Sequence, residues 1–285
     1  MKNSKYIVAI QVLTYNQKDY IAQCLDSIVN QRTSFPFVAV VYDDASTDGT
    51  ADIVRQYAER YPDIIHPILQ TENQYSQGKS PAKIASDEVN RLNPKYKCVL
   101  DGDDYWTDME SLQMRYDYLE AHSDCAVVYT KFERLLMPEG KVVETDYFYE
   151  SGIPTFEDML FRNTISISTA MFRLDVYREY LADVKPFEKN WAINDWAIWL
   201  YMMTKHQLGF IDKNTSMYRE LSVSISRKKT LRERVRFINN RKQIPLYFCQ
   251  YSKKPGIRKD VEQHYNKLIR KVIIDEIKRK LSRKV

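Results

Sequence analysis

The stretch VLDGDDYWTD, residues 99–108, joins the end of an apolar segment to a cluster of four carboxylates. The valine and leucine are typical of a buried strand, and the glycine between two aspartates is typical of a turn that follows it. Asp101 therefore lies where a strand ends, and Asp103, Asp104 and Asp108 belong to the segment beyond. Three interpretations are open: a solvated turn, a calcium-binding loop, or a site for a metal ion and an anionic ligand.

Apolar strand-like segments alternate with amphipathic segments on both sides of this stretch. One amphipathic segment, KDYIAQCLDSIVNQ (18–31), has its apolar residues at helical spacing, and Pro81 suits the first turn of another helix. This alternation predicts βαβ units, and therefore an α/β fold with a mostly parallel sheet flanked by helices. The predicted strands are residues 6–13, 37–44, 61–69 and 96–100.

Polar side chains follow three of these strands at the point where each strand ends. The clusters are Thr14-Tyr15-Asn16, Asp43-Asp44 and Asp101–Asp104. In open α/β sheets, ligands bind beyond the carboxyl ends of the strands. We therefore expect the three clusters to form one site, and their coincidence weighs more than any one of them alone.

The second half of the chain has a less regular pattern. Residues 142–150 alternate like an exposed strand, 165–173 like a half-buried strand, 193–206 like a buried helix, and 208–219 like another strand. Residues 230–285 have a helical pattern throughout. We expect one domain over 1–225 and a C-terminal helical extension over 226–285.

Composition limits the classes of function. Hydrophobic residues make up 44% of the 285, which is ample for a packed core and argues against disorder. The four cysteines are scattered and predict reduced thiols in a cytoplasmic protein. No apolar run reaches the roughly 18 residues of a membrane span, and the short N-terminal run lacks the pattern of a signal peptide.

The positive net charge of +5 is concentrated near the C-terminus. Residues 258–284 hold ten Lys and Arg against four Asp and Glu. This segment also has an apolar stripe of Val261, Tyr265, Leu268, Val272 and Ile273. Two interpretations stay open: peripheral contact with an anionic membrane, or docking of the stripe on the rest of the protein or on a second copy. Nucleic acid is disfavoured because the basic charge is confined to one helix without aromatic interleaving.

Two familiar ligand-binding loops are excluded by spacing. A calcium loop that began at Asp101 would need glycine at its sixth position and glutamate at its twelfth, where the chain has Trp106 and Leu112. The GKS of QYSQGKS lacks the first glycine of a phosphate-binding loop, because Asn73 stands there. No G-x-G-x-x-G dinucleotide motif occurs either.

Crowded carboxylates at a strand end repel one another unless a cation or hydrogen-bond donors offset their charge. A few hard oxygen ligands suit Mg²⁺ or Mn²⁺, which take their remaining ligands from water and from a substrate diphosphate. Such a metal neutralises charge on a departing phosphate. The sequence therefore favours a Mn²⁺ or Mg²⁺ site at Asp101 and Asp103 over a solvated turn.

Three motifs in order give the chain its resemblance to a known family: VLTYNQKDYIAQCLDSIVNQ, VVYDDASTDGTADIV and VLDGDDYWTD. They resemble glycosyltransferase family 2, the inverting nucleotide-sugar transferases. A weaker similarity continues through INDWAIWL and MYR to about residue 226. The resemblance implies a GT-A fold with a Rossmann-like sheet, and transfer of a sugar, most often from UDP, to a glycan or lipid-linked acceptor. Bacterial surface polysaccharide synthesis is the expected setting.

The resemblance also implies roles for individual residues. Thr14, Tyr15, Asn16 and Asp44 match positions that contact the nucleotide. Within D-x-D, Asp101 stands near the ribose and the metal waters. Asp103 binds the metal, and Asp104 is a further possible ligand. Asp195 matches the general base, and the candidate diphosphate, sugar and acceptor contacts are Lys83, Arg219, Trp106, Trp191 and Trp196.

A base at Asp195 has support independent of the family. Inversion by direct displacement needs a carboxylate to take the proton of the acceptor hydroxyl. Asp195 begins an otherwise apolar helix, where burial would tune it for that role. A first-turn aspartate favoured by the helix dipole is the structural alternative. Core packing is at least as strong an expectation for Trp191 and Trp196 as sugar stacking.

The chain departs from the family at two positions. Asn194 stands where the family usually has glutamate, and Leu221 stands where it often has a metal-binding histidine. These departures are the support for an alternative function, a non-catalytic nucleotide-binding partner subunit on the same fold. No Q-x-x-R-W motif of processive synthases follows Asp195, which favours single addition. A nucleotidyltransferase would need a Gly- and Arg-rich loop near the first strand, and none is present.

Overall fold

A computed structural model describes residues 4–145, 152–189, 191, 194–221 and 230–282. Nine strands and nine α-helices occur in these residues. The strands are β1 (Val8–Thr14), β2 (Phe37–Asp43), β3 (Ile65–Leu69), β4 (Tyr96–Asp101), β5 (Tyr105–Trp106), β6 (Cys125–Leu136), β7 (Lys141–Glu144), β8 (Met171–Arg173) and β9 (Gln207–Glu220). The helices are α1 (Lys18–Val29), α2 (Thr50–Arg60), α3 (Pro81–Leu92), α4 (Ser111–Ala121), α5 (Phe156–Phe161), α6 (Leu174–Val184), α7 (Asp195–Lys205), α8 (Leu231–Phe248) and α9 (Ile257–Ser282).

The first four strands form the parallel part of the sheet, in the order β3-β2-β1-β4. β1 lies between β2 and β4, with Thr14 beside Asp43 and Leu13 beside Asp101. α1, α2 and α3 join these strands, and the predicted α/β class is confirmed. Because the strands are parallel, the three polar clusters predicted from the sequence end at the same edge.

The rest of the sheet is mixed. The order continues β8-β6-β9-β5, with β7 paired to β6. β8 is antiparallel to β4 and β6, whereas β6 and β9 are parallel. The strand predicted for 165–173 is wrong over most of its length, because Ile167–Thr169 form a 3₁₀ turn and the strand β8 begins only at Met171. Ser and Thr hydroxyls satisfy this segment locally: Thr169 Oγ1 donates to Ser166 O at 2.7 Å.

Two apolar cores cover the two faces of the sheet. One contains α1, α2 and α4 side chains such as Leu25, Val54 and Leu119. The other contains α6, α7 and the C-terminal helices, with Trp199 and Phe172 fully buried. α5 and α6 were not predicted from the sequence. The exposed strand predicted for 142–150 is observed as β7 up to Glu144, and residues 146–150 lie outside the described residues.

The C-terminal helices pack on the second core. α8 contributes Ile244 and Phe248, and α9 contributes Ile257, Val261 and Tyr265, all buried. The start of the predicted stripe therefore docks on the rest of the protein, one of the two arrangements left open by the sequence. The predicted boundary at 225/226 lies outside the described residues. None of the helices in the described part of the chain has the length and apolar character needed to cross a membrane.

Candidate active site

The loop after β4 is held against the loop after β1. Gly102 N donates to Leu13 O at 2.9 Å, and Asp104 N donates to Asp101 O at 2.9 Å. A Cβ atom on Gly102 would lie 2.5 Å from Gln17 Oε1 and 2.9 Å from Thr14 Cβ, which real Cβ atoms do not tolerate. Glycine is therefore required here by close approach, and it brings the aspartates beside Thr14.

Burial and mutual repulsion dominate the electrostatics of this loop. Burial raises the pKa of Asp101 to about 7, and the charges of Asp103 and Asp195 add to the effect. Burial also raises the pKa of Asp103, against the opposing effects of the Arg219 charge and a hydrogen bond from Gln17. Carboxylates in such an environment favour a bound cation, because a cation offsets the repulsion between them.

Arg219, on β9, forms hydrogen bonds to the Asp101–Asp104 loop. Its backbone N donates to Asp104 Oδ1 at 2.9 Å, and its guanidinium donates to Asp103 O and to Gln23 Oε1. The guanidinium also lies over the ring of Tyr105, 4.6 Å from its centroid. Arg219 is 6% exposed, so its charge stabilises the aspartate loop from beneath instead of projecting into solvent.

The segment after β1 is locked to the segment after β2. Asn16 N donates to Ser46 Oγ at 2.8 Å, and Asn16 Oδ1 accepts from Thr47 N at 2.8 Å. Asn16 has a φ of 52°, a left-handed conformation that asparagine tolerates better than most residues. Thr14 is buried and its Oγ1 has no hydrogen-bond partner among the described residues, whereas Tyr15 is 49% exposed. An exposed ring beside an unpaired buried hydroxyl suits contact with a ligand.

Asp44 organises a third loop at this edge. Its carboxylate accepts from Gln74 N at 2.8 Å, Tyr75 N at 3.1 Å and Tyr42 Oη at 3.1 Å. Asn73 Nδ2 donates to Asp44 O at 2.9 Å. Asp44 is 3% exposed, so the structure shows it holding the segment that follows β3. Its contact with a nucleotide base stays a prediction.

Asp195 begins α7 and lies near the aspartate loop. Its Oδ2 accepts from Asn163 Nδ2 at 3.2 Å, and its Oδ1 accepts from Trp196 N at 2.7 Å. Burial raises the pKa of Asp195, while these two donors and the Arg241 charge act in the opposite direction. Because the charge of Asp195 also raises the pKa of Asp101, the two carboxylates belong to one electrostatic unit.

The metal ligands available here are few. Within the described part of the chain, no group of three or more His, Cys, Asp and Glu side chains is arranged to hold a metal ion. Asp104 is 1% exposed and its carboxylate accepts from the backbone of β9, so it supports the loop. Asp101 and Asp103 remain, and two carboxylates fit a Mg²⁺ or Mn²⁺ ion that takes its other ligands from water and a diphosphate.

The predicted sugar and acceptor contacts mostly lie elsewhere. Trp106 is 4% exposed and donates to Ser168 O at 2.8 Å, and Trp196 is fully buried and donates to Met159 O at 2.7 Å. Both rings pack in the interior, which corrects their expected place in a sugar pocket. Trp191 is half-buried, with its ring against α8. Lys83 is exposed and forms an ion pair with Asp87 at 2.7 Å.

Three residues of the site were missed in the sequence. Gln17 immediately precedes α1, Gln23 lies in the middle of α1, and Asn163 lies in an irregular stretch after α5. Each bonds a carboxylate or a cation of the site. The position of Gln17, directly after the polar cluster Thr14-Tyr15-Asn16, was the only signal in the sequence. Nothing in the pattern around Asn163 distinguishes it from a loop asparagine.

Comparison with known proteins identifies the family. The model described as Glycosyl transferase family 2 matches residues 9–181. This chain belongs to glycosyl transferase family 2. Among curated proteins it is 28% identical, over 232 residues, to the putative teichuronic acid biosynthesis glycosyltransferase TuaG of Bacillus subtilis, covering 80% of this chain and 85% of TuaG. It is also 30% identical over 203 residues to uncharacterized mycobacterial proteins, and spans about half (54%) of their length.

Solved structures with the same fold confirm the predicted GT-A architecture of this family-2 chain. Staphylococcus aureus TarS 1–349 in complex with UDP-GlcNAc has a TM-score of 0.64 at 20% identity, covering 90% of this chain and 70% of TarS. The mannosyltransferase PcManGT of Pyrobaculum calidifontis, in complex with GDP-Man and Mn²⁺, has a TM-score of 0.58 at 20% identity, covering 91% and 69%.

Proposed function

We propose that this protein is a metal-dependent inverting glycosyltransferase. It moves a sugar from a nucleotide-diphosphate donor, a UDP-sugar in the first instance, to a glycan or lipid-linked acceptor. The observation that carries the proposal is the grouping of Asp103 and Asp195 around Asp101. Both charges act on Asp101, which lies beside the end of β1, where Thr14, Tyr15 and Asn16 follow.

Asp195 supplies the base. Inversion in one displacement requires a carboxylate to accept the proton of the acceptor hydroxyl while the oxygen attacks the anomeric carbon. Burial raises the pKa of Asp195, while hydrogen bonds from Asn163 and the Trp196 amide lower it and orient the carboxylate. Asn194, in place of the usual glutamate, leaves Asp195 as the one carboxylate at this point of α7.

Asp101 and Asp103 would hold the metal. A bound Mn²⁺ or Mg²⁺ supplies charge neutralisation for the departing diphosphate. The protein's own contribution is to fix the loop, through Gly102 packed on Gln17 and through Arg219 bonded to Asp103 O. The Mn²⁺ in the PcManGT complex supports this assignment. Because the described residues offer two carboxylates to the ion, metal and donor are expected to bind together.

The relatives suggest the setting. TuaG is named for teichuronic acid biosynthesis, and TarS and PcManGT bind UDP-GlcNAc and GDP-Man. We infer that this chain acts in the assembly of a cell-surface polysaccharide, in the cytoplasm or at the inner face of the membrane. Thr14 to Asn16 and Asp44 would contact the nucleotide. Lys83 would reach the diphosphate only by leaving its ion pair with Asp87.

The test is donor turnover with UDP-, GDP- and dTDP-sugars in the presence of Mn²⁺. Wild type is compared with Asp103→Asn, which keeps the shape of the side chain and removes its charge. Asp108→Asn is the matched control, because Asp108 lies in the same loop but bonds Glu110 N and Lys213. We expect Asp103→Asn to lose metal-dependent turnover by at least about a hundredfold and Asp108→Asn to retain it.

Three results would contradict the proposal. Equal loss in both variants would mean that the loop merely needs its charges to fold, and unchanged turnover in Asp103→Asn would remove the metal site. Metal-dependent nucleotide binding without turnover of any donor, even with acceptor extracts, would favour the non-catalytic partner subunit instead.

A further inference from the structure

α9 has two apolar faces, and the described residues pack against one of them. The packed face holds Ile257, Val261 and Tyr265, all buried against α8 and α5. The second face lies on the C-terminal half of the helix and is formed by Ile273, Ile274, Ile277 and Leu281. These four side chains are 37%, 50%, 52% and 62% exposed. We call them the outer face of α9.

The outer face is not a continuation of the packed one. Ile273, Ile277 and Leu281 are spaced four residues apart, and Ile274 lies beside them, so the four side chains form one stripe. At about 100° per residue, this stripe points away from the direction of Val261 and Tyr265. The packed face therefore leaves it free, and none of the described residues covers it.

The charges around the outer face have one sign. Lys267, Arg270, Lys278 and Lys280 are exposed along its margins. The acidic residues of this half point elsewhere: Glu276 is 6% exposed and bonds Arg234 and Arg279 on the packed side. Asp275 precedes Ile277 by two residues and so lies on the opposite side of the helix. An apolar stripe between cations complements an anionic lipid surface.

We infer that the outer face of α9 lies on an anionic membrane, with its isoleucines and leucine among the acyl chains and its lysines at the headgroups. The membrane-binding surface is formed by side chains of α9 alone. Its purpose, to bring the active site to a lipid-linked acceptor, rests on the proposed function. The residues differ from the stripe expected from the sequence, because Val261 and Tyr265 are used for docking.

A second copy of the chain fits the same face less well. Two outer faces packed together would bring Lys267, Arg270, Lys278 and Lys280 of one copy against the same cations of the other. Helix pairs of this kind are stabilised by opposite charges at their margins. The acidic side chains that would supply those charges are turned away from this face, so repulsion would oppose the dimer.

The experiment measures binding to vesicles in the absence of any nucleotide, so that its result is independent of the proposed transfer reaction. Wild type is sedimented with vesicles of phosphatidylcholine and phosphatidylglycerol in a two-to-one ratio, and with phosphatidylcholine alone. The variant is Ile277→Glu with Leu281→Glu, both at exposed positions. The matched control is Val142→Glu on β7, where the valine is 48% exposed.

We expect wild type to bind the mixed vesicles, to bind phosphatidylcholine at least about tenfold more weakly, and to dissociate as salt is raised. The double variant should lose binding by about tenfold or more, while Val142→Glu binds as wild type does. Equal partitioning of wild type and the double variant would overturn the inference. So would a wild-type dimer, detected by sedimentation velocity, that the double variant abolishes and that does not bind vesicles.

Discussion

Lys97 is the second residue of β4, four residues before Asp101, and is 1% exposed. Its Nζ donates to Ser86 Oγ at 3.0 Å and lies 4.2 Å from the ring centroid of Tyr177. Among the described residues, no carboxylate forms an ion pair with it. Burial accordingly lowers the pKa of Lys97 from 10.5 to about 7. This lysine makes the stability of the whole sheet depend on pH.

The direction and size of that dependence follow from linkage. Between pH 7 and 10.5 the unfolded chain holds the Lys97 proton and the folded protein releases it, so the free energy of unfolding rises with pH. Above the folded-state pKa, the free energy of unfolding rises by roughly 1.4 kcal/mol per pH unit, and the rise is smaller close to that pKa. From pH 7 to pH 9 the total increase is therefore about 2 kcal/mol. More than about one pH unit below pH 7 the contribution is constant, because both states are then protonated.

Lys97→Met removes this titration and keeps much of the volume. We expect the variant to be more stable than wild type at pH 7 by about 1–3 kcal/mol, since it buries no charge, and to lose this advantage by pH 9. Guanidinium denaturation at the two pH values measures the difference, with Lys83→Met, an exposed lysine, as control. Parallel pH dependences for wild type and Lys97→Met would refute the reasoning.

Three further predictions concern the active site. Gly102→Ala should cost about 1–3 kcal/mol of stability and weaken donor binding, because the added Cβ would clash with Gln17. Denaturation measures the loss of stability, and calorimetry measures the loss of donor affinity. Arg219→Met should weaken Mn²⁺-dependent donor binding by about tenfold or more, since hydrogen bonds to a charged group are lost; unchanged affinity would contradict this. Asn163→Ala removes a donor that lowers the pKa of Asp195. The acidic limb of the pH–kcat profile should therefore move to higher pH, whereas a merely structural asparagine would leave it in place.

The parallel half of the sheet could be predicted because its signals are local. Each strand is a short apolar run, and each run ends at a polar cluster, so topology alone brings Thr14, Asp43 and Asp101 together. The mixed half could not be predicted in this way. β8 has three residues, and the segment before it is held by a hydrogen bond from Thr169 Oγ1 to Ser166 O, which the alternating pattern does not reveal.

The site contacts that the sequence did not predict also join residues that are far apart in the chain. Arg219 and Asp103 are 116 residues apart, and no local pattern shows that the guanidinium turns inward. Trp106 and Trp196 were plausible sugar contacts, yet each ring NH finds a backbone carbonyl in the interior. In α9, helical spacing identified an apolar stripe. Only the packing on α8 shows that Val261 is buried in the contact with the rest of the protein and that Ile277 is left exposed.

Asp195→Asn tests the central claim most directly, because the amide keeps the shape and loses the base. Calorimetry with Mn²⁺ and the best donor measures binding, and release of the nucleotide diphosphate measures turnover. We predict unchanged donor affinity and a roughly hundred- to ten-thousandfold loss of turnover. Turnover close to that of wild type would show that Asp195 is not the base, and loss of donor binding would show that its role is structural.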